Sequence, residues 1–323
     1  MFDNSDPYFK FLAGQRGKTF HLYPYVGNSG DSLIRMGTVR LLTDLGIAST
    51  LDPRKADVIL WPGGNPTMWY DNVEGWRKVL QKYDHAKLVV GPATFQPSKY
   101  DWAGVLRHYA PRVTALYARD LASYHNLTSA SLPGSIALGL GHDPALYLRG
   151  SDWVERHRAA ATEDYILAAF RDDHEGCVGP RWCPALLPAL LPRRLRRYLE
   201  RRACYHSQKM KILSVMKYAD SRRAVKASDI SHFDFDSFVD AVCHATEVHT
   251  DRLHTMLLAV LFDKRVFAYS TSYGKLEAVY SHSLKDWARV EFVSGMGSSP
   301  SRAHPRAAAN VLPLGVREAR EHT

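Results

Sequence analysis

Hydrophobic and polar positions alternate along the first half of the chain in two rhythms. Compact apolar runs occupy 18–26, 57–61, 87–91, 113–118 and 135–140. Between them lie "DSLIRMGTVRLLTDLG", "NVEGWRKVLQKY", "DWAGVLRHYA" and "DLASYHNL", whose apolar residues recur every three or four positions. Block and stripe exchanging in this way predict βα units and a mostly parallel sheet. The rhythm breaks near Asp143-Pro144 and reopens at "YILAAFR", residues 165–171. It is interrupted over 177–210, then resumes with "FDSFVDAVCHA", "TEVHT", "RLHTMLLAVLF", "RVFAYS" and "KLEAVYSHSL".

This pattern predicts an α/β protein of two Rossmann-like domains facing across a cleft. The first spans 1–148. The second spans 149–293 and carries a basic insertion at 177–210. A tail over 294–323, rich in Ser, Pro, Ala and Arg, is expected to be mobile because it has too little apolar periodicity to pack. A length of 323 residues suffices for two such domains.

Composition narrows the function classes. The best apolar stretches, "ALLPALL" and "LLAVLF", are far shorter than the ~20 residues of a spanning helix. The start, "MFDNSDPYFKF", is acidic and lacks an apolar signal core, so export by that route is not expected. Cys177, Cys183, Cys204 and Cys243 show no CxxC spacing and read as reduced thiols of a cytoplasmic protein. His174, Cys177 and Cys183 read as an incidental cluster, and no metal is expected. The net charge of +9 is uneven: residues 193–202, "RRLRRYLERR", hold six Arg and one Glu. One basic segment is not a basic face, and a nucleic-acid partner is not expected.

In open α/β sheets ligands bind at the carboxyl ends of strands, so the loops there carry the candidates. The first is "GNSGD", where Gly27 and Gly30 permit close approach to the backbone. It is not GxGxxG, and Asp31 or Ser29 could equally cap the helix that follows. The loop "PGGNPTMW" reads as a turn. In "ARD", Arg119 stands at a strand's carboxyl edge and Asp120 at a helix start. An Arg there can clamp a carboxylate or phosphate, or serve a salt bridge. In "HTDRLH", the strand ends near Thr250, Asp251 can cap, and Arg252 and His254 fall in the first turn of an otherwise apolar helix. Arg252 could instead pair with a carboxylate, and His254 could merely pack. Lys275 follows the next strand. An Arg, a His and a Lys at carboxyl ends suggest an anion site in the cleft.

"GNSGDSLI", "GGN", "ARDLASYHNL", "DPAL" and "TDRLHTMLLAVLFDKRVFAYSTSYGK" together, in this order over roughly 20–285, resemble the polysaccharide pyruvyl transferase family. The resemblance implies a GT-B-like fold. It also implies transfer of the three carbons of phosphoenolpyruvate to two hydroxyls of a sugar, giving a pyruvate ketal and phosphate. The family's arginine, histidine and lysine fall on Arg119, His254 and Lys275, which the resemblance assigns to phosphoenolpyruvate. Arg252 joins them by position, and His254 is the expected acid–base group. Asn28 and Asp31 are expected to face the acceptor sugar from the side of the cleft opposite His254. No cofactor is expected beyond the donor substrate. The sequence departs from the family at "PGGN", where three glycines are usual, and at the Arg-rich insertion. A nucleotide-sugar glycosyltransferase of the same fold is the alternative reading.

Within the insertion, Leu195, Tyr198 and Leu199 share one face of a short helical pattern. Around it stand Arg193, Arg194, Arg196, Arg197, Arg201 and Arg202. This reads as an anchor on anionic lipid at the inner face of the cytoplasmic membrane, suited to a lipid-linked acceptor, or as a solvated basic helix.

Overall fold

The computed structural model describes residues 5–24, 27–68, 70–98, 100–161, 164–171, 202, 205, 206, 208–216, 223–270, 274–293 and 311–313. The six arginines of the insertion, apart from Arg202, lie outside the described residues, as do His174, Cys177, Cys183 and Cys204. The chain divides into two compact units. The first comprises Met1–Gly27, Asp31–Arg149 and Ser281–Ser283; the second comprises Asn28–Gly30, Gly150–Tyr280 and Leu284–Thr323.

The first unit holds strands β1 (Thr19–Leu22), β2 (Ala48–Ser49), β3 (Val58–Trp61), β4 (Lys87–Ala93), β5 (Val113–Ala118) and β6 (Ala137–Leu140). They form one sheet in the order β2-β1-β3-β4-β5-β6, parallel throughout. All four residues of β3 are buried, as expected of a strand covered on both faces. Successive residues of β4 serve different cores. Leu88 and Val90 pack with Trp61, Trp76 and Leu106, while Val89 packs with Phe20, Leu41 and Leu42. The helices end where side chains satisfy the backbone. Asp6, Asp101 and Asp120 accept N–H groups at helix starts. Arg112 donates to the carbonyls of Leu80, Tyr83 and Ala86, closing the C-terminal end of the helix Tyr70–Lys82.

The second unit holds β7 (Tyr165–Ala169), β8 (Ala224–Ala227), β9 (Ala245–Thr250), β10 (Arg265–Tyr269), β11 (Val290–Val293) and β12 (Val311–Pro313). Their order is β11-β10-β9-β7-β8-β12, again parallel. Strands β2, β8 and β11 are short and do not stand out in the sequence pattern. Residues 311–313, inside the segment expected to be mobile, form the edge strand β12 beside β8. The alternation of strands and helices read from the sequence therefore yields two doubly wound parallel sheets. In the first, the order reverses between β1 and β3. In the second, it reverses between β7 and β9. These switch points are where such sheets open a crevice.

One half-buried imidazole makes the first unit sensitive to acid. His142 stacks on His282 with ring centroids 4.8 Å apart, and its Nδ1 lies 2.9 Å from Ser283 Oγ. Burial, reinforced by the neighbouring His282, pushes His142 down to about 4 from an ordinary 6.5. The unfolded chain thus binds a proton that the folded unit refuses. This contribution to stability is complete above pH about 6.5 and is lost as pH falls toward 4. Thermal unfolding followed by circular dichroism should show a midpoint that declines over this window. The decline should be shallower in His142→Gln.

Candidate functional site

The carboxyl edge of the second sheet gathers the ionisable residues. Strand β9 ends at Thr250, whose hydroxyl donates to Ala169 O at 2.8 Å and accepts from Arg252 N at 3.0 Å. Asp251 does not cap the following helix, contrary to the sequence expectation. Its carboxylate is turned aside, accepting Arg171 N–H at 2.8 Å and Lys211 Nζ at 2.6 Å. Burial raises its pKa, and the Lys211 ammonium opposes that rise. The pair is almost wholly enclosed, so each charge depends on the other.

Arg252 occupies the cap position of the helix Leu253–Leu261 in extended conformation, without a side-chain capping bond. Its guanidinium pairs with Asp229, which follows β8. His232 Nε2 lies 3.9 Å from the same carboxylate. The alternative raised by the sequence, a carboxylate partner for Arg252, is thus realised. Every residue of the helix Leu253–Leu261 is buried except His254. The helix is pinned by its apolar body and presents one titratable group in its first turn.

The glycine turn after β1 explains itself against that histidine. Asn28–Gly30 counts with the second unit, and a β-carbon on Gly30 would overlap His254 Nδ1. Gly30 thus adjoins His254, and the expectation that the turn lies opposite His254 is corrected. The cap is also reassigned. Asn28 Oδ1 accepts Gly30 N–H at 2.9 Å, whereas Ser29 donates its hydroxyl to Phe233 O at 2.7 Å. Asp31 lies in the first turn of the helix Ser29–Asp44, its carboxylate over Gly27. Lys275 opens the helix Lys275–Ser283 directly after Gly274, which takes a left-handed φ of 68°.

Arg119, at the end of β5 in the first unit, is fully buried. Its Nη1 donates to Asp143 Oδ2 at 2.6 Å and its Nε to Thr94 Oγ1 at 2.9 Å. Its Nη2 is buried and meets no hydrogen-bond partner among the described residues. Asp143 also caps the short helical turn Pro144–Leu148 through Ala145 N.

Sequence reasoning missed Lys211, Asp229 and the chain Glu247–His249–Tyr269. His249 places Nε2 2.8 Å from Glu247 Oε1 and Nδ1 2.9 Å from Tyr269 Oη. Burial works to raise the Glu247 carboxyl. His249, Arg265 and Arg223 outweigh it and hold the carboxyl below its usual range. Burial pushes the Tyr269 phenol up. The available signal was the polar pair Glu247 and His249, two apart on a strand and hence on one face. Among the described residues, no group of three or more His, Cys, Asp or Glu is arranged to hold a metal ion.

Two doubly wound parallel sheets, with ion-paired side chains at a switch point, define a two-unit α/β protein of the kind that binds ligands at strand carboxyl edges. The chain belongs to the polysaccharide pyruvyl transferase family, whose model matches residues 28–273. Among solved structures it is similar to a functionally uncharacterised protein of Klebsiella pneumoniae, with 18% identity and a TM-score of 0.55 over 88% of this chain and 95% of that one. It is less similar to HepE of Anabaena, solved with UDP and glucose, with 10% identity and a TM-score of 0.38 over 78% and 81% of the two chains. UDP-GlcNAc 2-epimerase of Methanocaldococcus jannaschii gives 11% identity and a TM-score of 0.38 over 90% and 87%. No curated protein matches the chain significantly.

Two substitutions test the local geometry. Gly30→Ala should displace the His254 ring and lower stability by about 1–3 kcal/mol, the usual effect of overpacking. Histidine NMR shifts and thermal unfolding would report each part. Asp143→Ala should be costlier, about 3–5 kcal/mol, because it leaves Arg119 buried without its counter-ion. Denaturant unfolding would measure it.

Proposed function

We propose that the protein transfers pyruvate from phosphoenolpyruvate to two hydroxyls of a saccharide, forming a cyclic ketal and releasing phosphate. The observation that carries the reading is His254, the only residue of its helix that is not buried, in a chain whose residues 28–273 match the family's model. The reaction needs an acid to protonate the donor's methylene carbon, which becomes the methyl group. The first hydroxyl then bonds to C2, the C2–O bond to phosphate breaks, and the second hydroxyl closes the ring. Of the two hydroxyl protons, one balances the proton placed on carbon and the other leaves with phosphate. His254 is proposed as the acid–base group, since an imidazole can both give and take a proton.

Arg119, Arg252 and Lys275 are proposed for the donor's anionic groups, with the first-turn N–H groups of the helix Leu253–Leu261 contributing. Arg252 already has Asp229, so its contribution is to orientation more than to net charge. Arg119 retains the buried Nη2 described above. Asn28 and Asp31 are proposed for acceptor hydroxyls: an amide and a carboxylate supply both donor and acceptor atoms. The acceptor is proposed to be a bacterial exopolysaccharide or its lipid-linked repeat unit.

Purified protein given phosphoenolpyruvate and a lipid-linked oligosaccharide from a polysaccharide-producing bacterium should release one phosphate per pyruvate incorporated. His254→Gln should lower turnover by about 10²–10⁴-fold while phosphoenolpyruvate binding, followed by calorimetry, falls less. Near-full turnover in His254→Gln would make the histidine structural. Unchanged donor affinity in both Arg119→Ala and Lys275→Ala would remove those residues from the donor site.

A further inference from the structure

Six large hydrophobic side chains stand exposed among the described residues, and three are close in sequence: Tyr205, 64% exposed, Met210, 46%, and Leu213, 45%. Residues 202, 205, 206 and 208–216 are helical. Lys209, Met210 and Leu213 are exposed together on the helix over 208–216, and the helical residues Arg202, Tyr205 and His206 just before it are exposed as well. The opposite face is fixed to the sheet. Val215 is buried with Ile166, Ala168 and Phe170, Ile212 and Met216 pack on the same cluster, and Lys211 reaches Asp251. The helix therefore cannot turn its outward apolar groups inward without breaking a buried ion pair. Directly upstream the sequence adds five Arg against one Glu over 193–201.

Aromatic, thioether and leucine side chains interspersed with cations are the composition of a helix that lies in a lipid interface. The charge selects the occupant. A second copy would bring the same cations to the face and be repelled, whereas a bilayer carrying anionic headgroups supplies opposite charge and an apolar layer together. We propose that this helix face docks the protein on anionic membrane, Tyr205, Met210 and Leu213 entering the headgroup–acyl boundary and Arg202 and Lys209 pairing with headgroups. No helix of the described residues is long and apolar enough to cross a membrane.

The test is independent of the catalytic reading because it needs no turnover. Full-length protein is sedimented with vesicles of phosphatidylcholine containing phosphatidylglycerol, and with phosphatidylcholine alone. Binding to the first and not the second is expected at low salt. In Arg202→Gln/Lys209→Gln the partition should fall about fivefold per charge, the ratio equivalent to about 1 kcal/mol per basic residue. Added salt should erase that difference. In Tyr205→Ser/Met210→Gln/Leu213→Gln the partition should fall at every salt concentration, since burial of apolar surface is not screened. Thermal unfolding should match the wild type in both variants, because the replaced groups are solvent-facing. Failure of the wild type to sediment with phosphatidylglycerol vesicles would overturn the proposal, as would equal sedimentation of all three proteins. Light scattering that shows a wild-type dimer and a monomeric triple variant, without vesicle binding, would assign the face to self-association instead.

Discussion

The second unit turns on one enclosed carboxylate. Asp251 receives a backbone N–H from just past the end of β7 and an ammonium from the helix over 208–216, and it sits two residues before Leu253, where the helix that carries His254 begins. Three elements thus meet on two oxygens. Such a pair contributes little net stability against an apolar alternative, but breaking it leaves a buried charge. Its effect is on position. The edge of β9 is fixed against β7, where the sheet order reverses and the crevice of a doubly wound sheet opens.

Around that point the cations are compensated. Arg252 pairs with Asp229 and Lys211 with Asp251, and in the first unit Arg119 pairs with Asp143. Compensation keeps the folded protein from burying naked charge and holds the side chains in one geometry. Preorganised groups bind and stabilise charge without reorganising. His254 differs from them. It is held by the apolar body of its helix, and Gly30 makes room for its ring.

The helix over 208–216 serves two faces at once. Inward it supplies Lys211 to the switch point; outward it presents the apolar and basic side chains discussed above. The segment that fixes the second unit's crevice is therefore also the one placed to meet a surface. This fits a chain in which residues 193–202, with six Arg and one Glu, carry +5 of the net charge of +9.

The sequence by itself determined the two parallel sheets. Apolar blocks separated by helical stripes leave few alternatives, and the edge residues Arg119, Arg252, His254 and Lys275 follow from where those blocks end. Strands β2, β8 and β11 escaped because two to four residues show no period, and β12 because its pairing with β8 is made far from it in the chain. Asp120 caps the helix it precedes, as the sequence suggests, whereas the caps near Asp31 and Asp251 were decided by the folded chain. Asp251 reads as a helix cap locally, yet Lys211, forty residues upstream, claims its carboxylate. Asn28 rather than Asp31 takes the cap because Asp31 folds over Gly27. Partners such as Asp229, Asp143 and Lys211 carry no local signature. A buried charge is satisfied by whichever opposite charge the fold brings within reach, and only the folded chain fixes that choice.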